Sequence, residues 1–508
     1  MTRGKKLMLN SVTSVLYQII TFICGFILPR IFLSTYGSAV NGLVSSITQF
    51  LGFISLCEMG VGAVVQSALY KPLADKDSVE VSKIAISSER FFRKIAYILL
   101  VYTAVLMLIY PIITIDKFDY VFTMLLILVI SISTFARYYF GITYRLIFSA
   151  DQLAFVHFGI HSVALILNTV ACIFLMSIGA SIHIVKLTTS IIFLLQPVIL
   201  NVIARERYKI DRKIVFSGEP IKQKWNGLAQ HIAAVVLGNT DIVVLTLFSS
   251  LENVSVYAVY HLVVNGVRQI FISLTNGMQA MMGNMLAKKE MKILNNTFEF
   301  FEWLIHTAVT LIFYVTAALI LAFVSVYTRG IRDVNYIVPA FAYLITLSQA
   351  LVCLQLPYKT LVLAAGHYKE TQLSSIIEAA INIILSVILV FNFGLIGVAI
   401  GTIVAIIYRL VYLVWYLSKN IMRISMIVFA KKLIVDIICI FVFIASMRFF
   451  KPFFTLNDLS YVSWFYLAMK VGLLCLVESI FLNMIFCKKN MYTTYKKICT
   501  VLKRRKLS

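Results

Sequence analysis

Arg268 sits near the middle of a long apolar stretch, 254–286, with His261, Asn265, Asn276 and Gln279 at spacings that place them near one face of a helix. A guanidinium offers five donors in a planar fork that suits phosphate oxygens. A cation held at mid-depth in a bilayer costs at least ~2.5 kcal/mol unless it meets water or a partner. The pattern therefore reads as a site for an anion. Arg137, on the stretch 119–144 with Thr134 and Gly141 on its face, is a second candidate. Arg30 follows Pro29 near the end of the stretch 7–34 and joins the Asn10–Gln18 face only if Pro29 bends the helix. Lys186, Arg409 and Lys470 read as interfacial or paired. Glu58, Asp241, Glu378, Asp436 and Glu478 are acids within apolar stretches, each able to neutralise a nearby cation. Glu58 and Asp241 are the two candidates for ion coupling.

Polar stripes accompany these charges. One runs Asn41, Ser45, Thr48, Ser55, Glu58, Gln66; another Asn10, Ser14, Gln18, Thr21; others hold Asn226, Gln230 and Asp241, or His157, His161 and Asn168, or Thr371, Ser375, Glu378, Asn382 and Ser386. Such stripes either line a water-filled cleft or glue helices together through small and polar side chains. For single Ser, Thr and Asn residues, glue is the plainer reading. The eight cysteines form no C-x-x-C pair, so neither a metal site nor a disulfide framework is expected. No G-x-x-x-x-G-K-[ST] loop occurs, which argues against an ATP motor within the chain. No cofactor is expected. Coupling to H⁺, Na⁺ or the membrane potential stays open.

The elements that must position these groups are membrane helices. The chain has 508 residues, 61% hydrophobic and 13% charged, with a mean hydropathy of +0.92. Soluble domains carry about 25% charged residues. Apolar runs of 20 or more recur, long enough to cross a hydrocarbon core of about 30 Å. Period-2 alternation is scarce, which argues against a β-barrel. The pattern predicts an all-α polytopic protein of about 14 transmembrane helices. Its parts are a six-helix bundle over 1–204, a basic linker at 205–224, a second six-helix bundle over 225–418, two further helices over 419–486 and a basic tail at 487–508. The first span follows a basic N-terminus but shows no small-residue cleavage site, so it is expected to stay in place.

The net charge of +23 invites a nucleic-acid reading, which the positions of the charges reject. Lys and Arg crowd into alternate loops, while the other loops hold Lys117, Arg329, Arg332, Arg448 and Lys451. That asymmetry predicts both termini in the cytoplasm and attraction to anionic lipids of the inner leaflet. The outer loops are short, leaving no room for an external catalytic domain. Phe53-Ile54-Ser55-Leu56 recurs as Phe271-Ile272-Ser273-Leu274, and Asn168 matches Asn382 at a similar offset. The offset spans six helices, so helix directions are kept, as in a parallel repeat.

Several segments, in order along the chain, resemble the polysaccharide, or O-antigen, flippases of the Wzx type. They are Tyr36-Gly37 with Asn41-Gly42-Leu43, Glu58-Met59-Gly60-Val61-Gly62, Leu69-Tyr70-Lys71-Pro72-Leu73, Ser149-Ala150-Asp151-Gln152 and Asn239-Thr240-Asp241 with Tyr257. Ala365-Gly366-His367-Tyr368-Lys369, Ile377-Glu378-Ala379-Ala380-Ile381-Asn382 and Gly394-Leu395-Ile396-Gly397-Val398-Ala399-Ile400-Gly401-Thr402 complete the series. The likeness reaches to about Arg409; beyond it only helix number and hydropathy agree.

The resemblance implies the fold of the multidrug/oligosaccharidyl-lipid/polysaccharide (MOP) exporter superfamily, with two six-helix bundles around a central cleft. It implies a non-enzymatic flippase of a bacterial plasma membrane. The cargo would be a sugar repeat unit on a polyprenyl diphosphate, moved from the cytoplasmic to the outer leaflet by alternating access for polysaccharide biosynthesis. Partners would be that lipid-linked oligosaccharide, membrane lipids and other polysaccharide-assembly membrane proteins. Relatives that handle lipid-linked peptidoglycan precursor carry cleft cations on their first and eighth helices, where Arg30 and Arg268 fall here. The substrate-binding set is then Arg268, Arg137, Arg30, Asn265 and Gln279. The rival within the superfamily is a cation-coupled multidrug exporter, in which cleft acids would matter more than arginines. A polysaccharide polymerase or ligase would need a large outer loop, and a purely structural protein would not need charges at mid-helix.

Overall fold

The computed structural model describes residues 3–58, 61–212, 214, 228–422, 426–456 and 458–492. Met59, Gly60, Asn226, most of the basic linker and the tail from residue 493 lie outside the described residues, as do the side chains of Gln230 and Asn276.

The described residues form two compact units, Met1–Ser255 and Val256–Ser508. The first holds α1 (Arg3–Gly52), a 3-10 turn (Phe53–Glu58), α2 (Val61–Asp75), α3 (Ser78–Ile113), α4 (Tyr120–Ala136), a π-helical turn (Arg137–Gly141), α5 (Ile142–Ala150), α6 (Ala154–Ser177), α7 (Ile182–Tyr208) and α8 (Leu228–Phe248). Helix α9 (Leu251–Ala287) starts in the first unit and continues in the second. The second unit adds α10 (Met291–Tyr327), α11 (Pro339–Ala364), α12 (Gln372–Leu417), α13 (Met426–Phe449) and α14 (Tyr461–Phe486).

Among the described residues, nine helices are long and apolar enough to cross a membrane. Two of these, Met8–Glu58 and Gln372–Met422, run for 51 residues each. At 1.5 Å per residue each is more than twice the ~30 Å of hydrocarbon. Each is two passes, broken where a glycine leaves helical geometry: Gly37 (φ 81°, ψ 175°) and Gly394 (φ 52°, ψ −126°). Backbone of this kind is open essentially to glycine alone. The all-α polytopic architecture is the one observed, with nine membrane-length apolar helices among the described residues, two of them doubled.

Past Gly394 the two arms of α12 fold tightly onto each other. A Cβ on Gly401 would stand 2.6 Å from the Ser386 Oγ, and one on Gly397 2.3 Å from the Leu389 carbonyl oxygen. Asn382, fully buried, donates from Nδ2 to Thr402 Oγ1 at 2.8 Å across the same contact. Small residues admit the close approach and a polar pair fixes it.

Helix starts outside the apolar runs are capped by acids and serine. Asp77 accepts from the Glu80 amide at the head of α3, Asp119 from the Val121 and Phe122 amides at α4, and Ser460 from the Ser463 amide at α14. Each cap satisfies amides that the first helical turn leaves unpaired. Large apolar side chains such as Val101, Leu108, Phe174, Phe391 and Phe441 are exposed, as expected of a surface solvated by lipid, while serines and threonines such as Ser46, Thr123 and Ser386 are buried.

Candidate functional site

In the first unit α4, the π-turn, α5, α6 and α7 surround a cavity of ≈ 300 Å³. Tyr17 of α1 also lines it, as do Arg137, Arg145, His157, His161 and Gln196. No Asp or Glu is among the described lining residues. The π-turn places Arg137 on the wall: it inserts one residue beyond α-helical spacing, a device common at functional sites. Pro197 of α7 lies against Gly141, where an added Cβ would come to 2.7 Å.

Arg137 is exposed to this space and reaches Glu58 at 3.7 Å. Tyr138, buried, donates its hydroxyl to the same Glu58 oxygen and accepts from Arg137 at 3.3 Å. Arg145 is exposed to the cavity and makes no ion pair among the described residues. His157 and His161 stack, ring centroids 5.8 Å apart, and Gln196 lies within 2.9 Å of His161 and 3.4 Å of His157. The wall thus carries two guanidinium groups against one carboxylate that sits behind it. It can take an anion whose oxygens accept from the guanidinium forks, with Gln196 and Tyr17 beside them for neutral polar groups.

The second unit holds a separate set of cations. Arg268 of α9 donates from Nη1 to Gln349 Oε1 at 3.0 Å, and its buried Nε has no hydrogen-bond partner among the described residues. Arg268 makes no ion pair there either. Asn265 accepts from Gln269 at 3.5 Å, and Gln279 lies half-buried further along the same helix. Arg409, 4% exposed, reaches Glu378 at 3.7 Å and donates to the Thr371 carbonyl at 3.0 Å. Lys359 of α11 interacts electrostatically with Glu378, Arg409 and Arg268. Arg409 and Lys359 thus share one acid, and Arg268 stands apart from it.

Among solved structures the chain is similar to a lipid II flippase, MurJ, in an inward closed conformation, with a TM-score of 0.69 and 16% identity over 95% of this chain and 99% of that one. It is also similar to a MATE-family multidrug resistance transporter of the MOP superfamily in an inward-facing conformation, with a TM-score of 0.54 and 15% identity over 78% of this chain and 94% of that one. The chain has their fold. No protein-family model matches it, and no curated protein does.

Within that fold, the residues singled out from sequence fall in different places. Arg137 and Glu58, read separately as anion site and coupling acid, are partners. Arg30 lies half-buried on α1 and does not line the cavity of the first unit. Pro29 stays within the helix, whose break comes at Gly37 instead. Asp241 is buried on α8, also away from the cavity lining. Several stripe residues act as glue. Asn10 binds the Gln152 carbonyl and the Phe155 amide, tying α1 to the start of α6. Asn41 donates to Ser255 at 2.7 Å, and Ser46 joins Thr246 and Tyr110.

Two further cations of these sites, Arg145 and Lys359, are not singled out by sequence pattern. Arg145 lies past the apolar run 119–144 on a helix that continues to Ala150, and Lys359 lies inside α11, near its end at Ala364. The signal present in the sequence was spacing: Arg145 follows Arg137 and Gly141 at roughly helical intervals, without a turn residue between.

Proposed function

We propose that the protein is a flippase for an oligosaccharide carried on a polyprenyl diphosphate, and that it works in a bacterial plasma membrane with both termini in the cytoplasm. In this reading 1–204 and 225–418 are the two six-helix bundles of the superfamily, joined by the linker 205–224 and followed by two further helices and a basic tail. The protein moves its cargo without chemically changing it. Other polysaccharide-assembly proteins of the membrane supply and consume that cargo.

The observation that carries the reading is the surplus of guanidinium over carboxylate. Arg137 and Arg145 face a cavity whose described lining holds no acid, and Arg268 lacks an ion pair among the described residues. Guanidinium forks bind phosphate oxygens in pairs, whereas a site for drug cations needs the opposite sign. Sugar and diphosphate cannot cross hydrocarbon unaided, while the prenyl chain never has to leave it. The headgroup enters from the inner leaflet, is held by Arg268, Arg137 and Arg30, and is solvated by Asn265, Gln279 and the other polar groups. The halves then rock about it. An inside-negative potential favours outward movement of anionic charge by ~2.3 kcal/mol per charge per 100 mV. Asp241 and Glu58 are the acids for coupling to H⁺ or Na⁺.

The test is flipping in proteoliposomes. A fluorescent polyprenyl-diphosphate oligosaccharide is reconstituted with the protein, and the outward-facing fraction is read with a membrane-impermeant quencher. Protein-dependent transfer that is lost in Arg268→Ala, with folded protein retained, supports function and site together. Transfer that survives moves the site. No transfer of any glycolipid, alongside uptake of cationic drugs under an ion gradient, assigns the chain to the multidrug exporters.

A further inference from the structure

His306 of α10 lies at the centre of a buried chain of titratable groups in the second unit that none of the roles above uses. Its Nδ1 is 2.6 Å from Asp436 Oδ2 of α13, and its Nε2 is 3.2 Å from the Tyr358 hydroxyl of α11. Thr310 donates to the other Asp436 oxygen at 2.9 Å. Tyr358 donates to Glu302 Oε1 at 2.6 Å, and Lys432 pairs with Glu302 Oε2. His306 and Glu302 are 3% exposed and Tyr358 2%. The His306 end opens on a cavity of ≈ 290 Å³ between α10, α13 and α14, lined by His306, Thr310, Lys432 and Asp436 among others.

Donors and acceptors can be counted along this chain. Lys432 keeps Glu302 an ionised carboxylate, which only accepts. The proton between Tyr358 and Glu302 is therefore the tyrosine's own, and the Tyr358 oxygen must accept from His306 Nε2–H. Asp436 takes the Thr310 hydroxyl on one oxygen and meets His306 Nδ1 through its other, with the hydrogen of that contact on the ring or on the carboxyl. In both arrangements Nε2–H serves Tyr358, and the His306–Asp436 pair holds one proton more than a neutral ring beside an ionised carboxylate. Without that extra proton the pair cannot keep both contacts unless Tyr358 turns away from Glu302.

We propose that His306 and Asp436 form a proton-binding site, occupied in this conformation, whose proton is the coupling ion of transport. Release of the proton leaves one ring nitrogen without hydrogen. Either the Asp436 contact becomes lone pair against lone pair, or Tyr358 rotates its hydroxyl to His306 and gives up Glu302. Both outcomes change how α10 is joined to α11 and α13, so the proton is tied to helix packing. Other groups face the pair as well. Cys439 of α13 and Cys487 beyond α14 sense Asp436 electrostatically, and Phe429 meets the His306 ring edge-on at 6.3 Å. Lys431, Lys488 and the Lys489–Glu299 pair stand at the rim. The basic rim keeps a proton released into the cavity from being held there. The coupling role rests on the transporter reading; the occupied proton site does not.

The site is tested on the full chain in lipid vesicles, labelled with ¹⁵N-histidine and examined by solid-state NMR at pH 7. The resonance missing from His306→Gln identifies His306. With ¹³C-aspartate added, the pair is expected to hold the extra proton, as a doubly protonated ring beside a carboxylate or a neutral ring beside a protonated Asp436, to lose it in Asp436→Asn, and to keep it in Tyr358→Phe with the Nε2 environment shifted. A neutral ring beside an ionised Asp436 in the unsubstituted protein overturns the proposal. The coupling is read by flipping under an imposed pH gradient. With one proton per cycle, the inward-to-outward distribution of the lipid shifts by about tenfold per pH unit, and the shift is lost in His306→Gln. An unchanged shift in that variant overturns the coupling. The extra proton found in a protein that flips no lipid leaves the proton site standing and removes the flippase reading.

Discussion

Glu58 stands 3.7 Å from the Arg137 guanidinium and shares its oxygen with the Tyr138 hydroxyl, so the first unit keeps one of its two cavity arginines partly neutralised and leaves the other, Arg145, unpaired among the described residues. Removing the acid should raise affinity for an anion while slowing its release. At 4 Å and an effective dielectric of about 20, a unit charge is worth at most ~4 kcal/mol, and solvent around an exposed guanidinium reduces that strongly. Glu58→Gln is expected to bind a soluble diphosphate-sugar headgroup about tenfold more tightly and to flip the full lipid more slowly. Titration calorimetry and the quenching assay read the two halves separately. Weaker binding would show that Glu58 touches the cargo rather than its counter-charge.

Arg145 carries the cleaner test of the proposed anion site. A hydrogen bond to a charged partner contributes about 1.5–3 kcal/mol. Arg145→Ala should therefore lower headgroup affinity by roughly ten- to a hundredfold, and Arg145→Lys by less, because charge survives while the fork is lost. Equal losses in both would mean that packing matters, not charge.

Gly37 is tested through stability. Its φ of 81° with ψ of 175° costs a residue with a side chain about 1–3 kcal/mol. Gly37→Ala should lower the unfolding temperature in detergent, whereas Gly25→Ala, where an added Cβ meets nothing within 4 Å, should not. Matching melting curves would remove the role given to Gly37.

The turn before α4 gives a pH signature. Burial works to raise the Glu252 carboxyl, but Lys117 and hydrogen bonds near the start of α9 override it and hold it below its ordinary 4.5. The sign follows: the pair contributes stability above 4.5 that is lost as pH falls through the depressed value. Between two partly exposed groups the effect is no more than about 1 kcal/mol. The loss of melting temperature on acidification from pH 6 to 3 should be smaller in Glu252→Gln than in the unsubstituted chain. Parallel curves would leave the pair without weight in stability.

Membrane helices announce themselves through long apolar runs, and the breaks at Gly37 and Gly394 fall where the sequence separates its first from its second span and its eleventh from its twelfth. Helix ends were harder to see. α5 carries Arg145 beyond the hydrophobic stretch, and hydropathy registers a charge as a loop whether or not the backbone goes on turning. Partnership was harder still. Glu58 and Arg137 meet through the fold, not through spacing, and nothing local marks them as a pair. His306 and Glu302 went unremarked because each is a lone polar residue in an apolar helix, and their meaning appears only when α11 and α13 bring Tyr358, Asp436 and Lys432 against them.

The π-turn at Arg137–Gly141 makes the phase of a helix adjustable. Were its extra residue absorbed into regular α-helix, everything after Gly141 would rotate by one residue's share of a turn, about 100°, while Arg137 before it stayed in place. Arg145 would swing off the cavity wall and its charge would leave with it. Spin labels on α5 and α7 would register the rotation as a change in distance between substrate-loaded and empty protein. A single surplus residue would then work as a cam, converting a slip of backbone hydrogen bonds into the withdrawal of one of two arginines from the cavity wall.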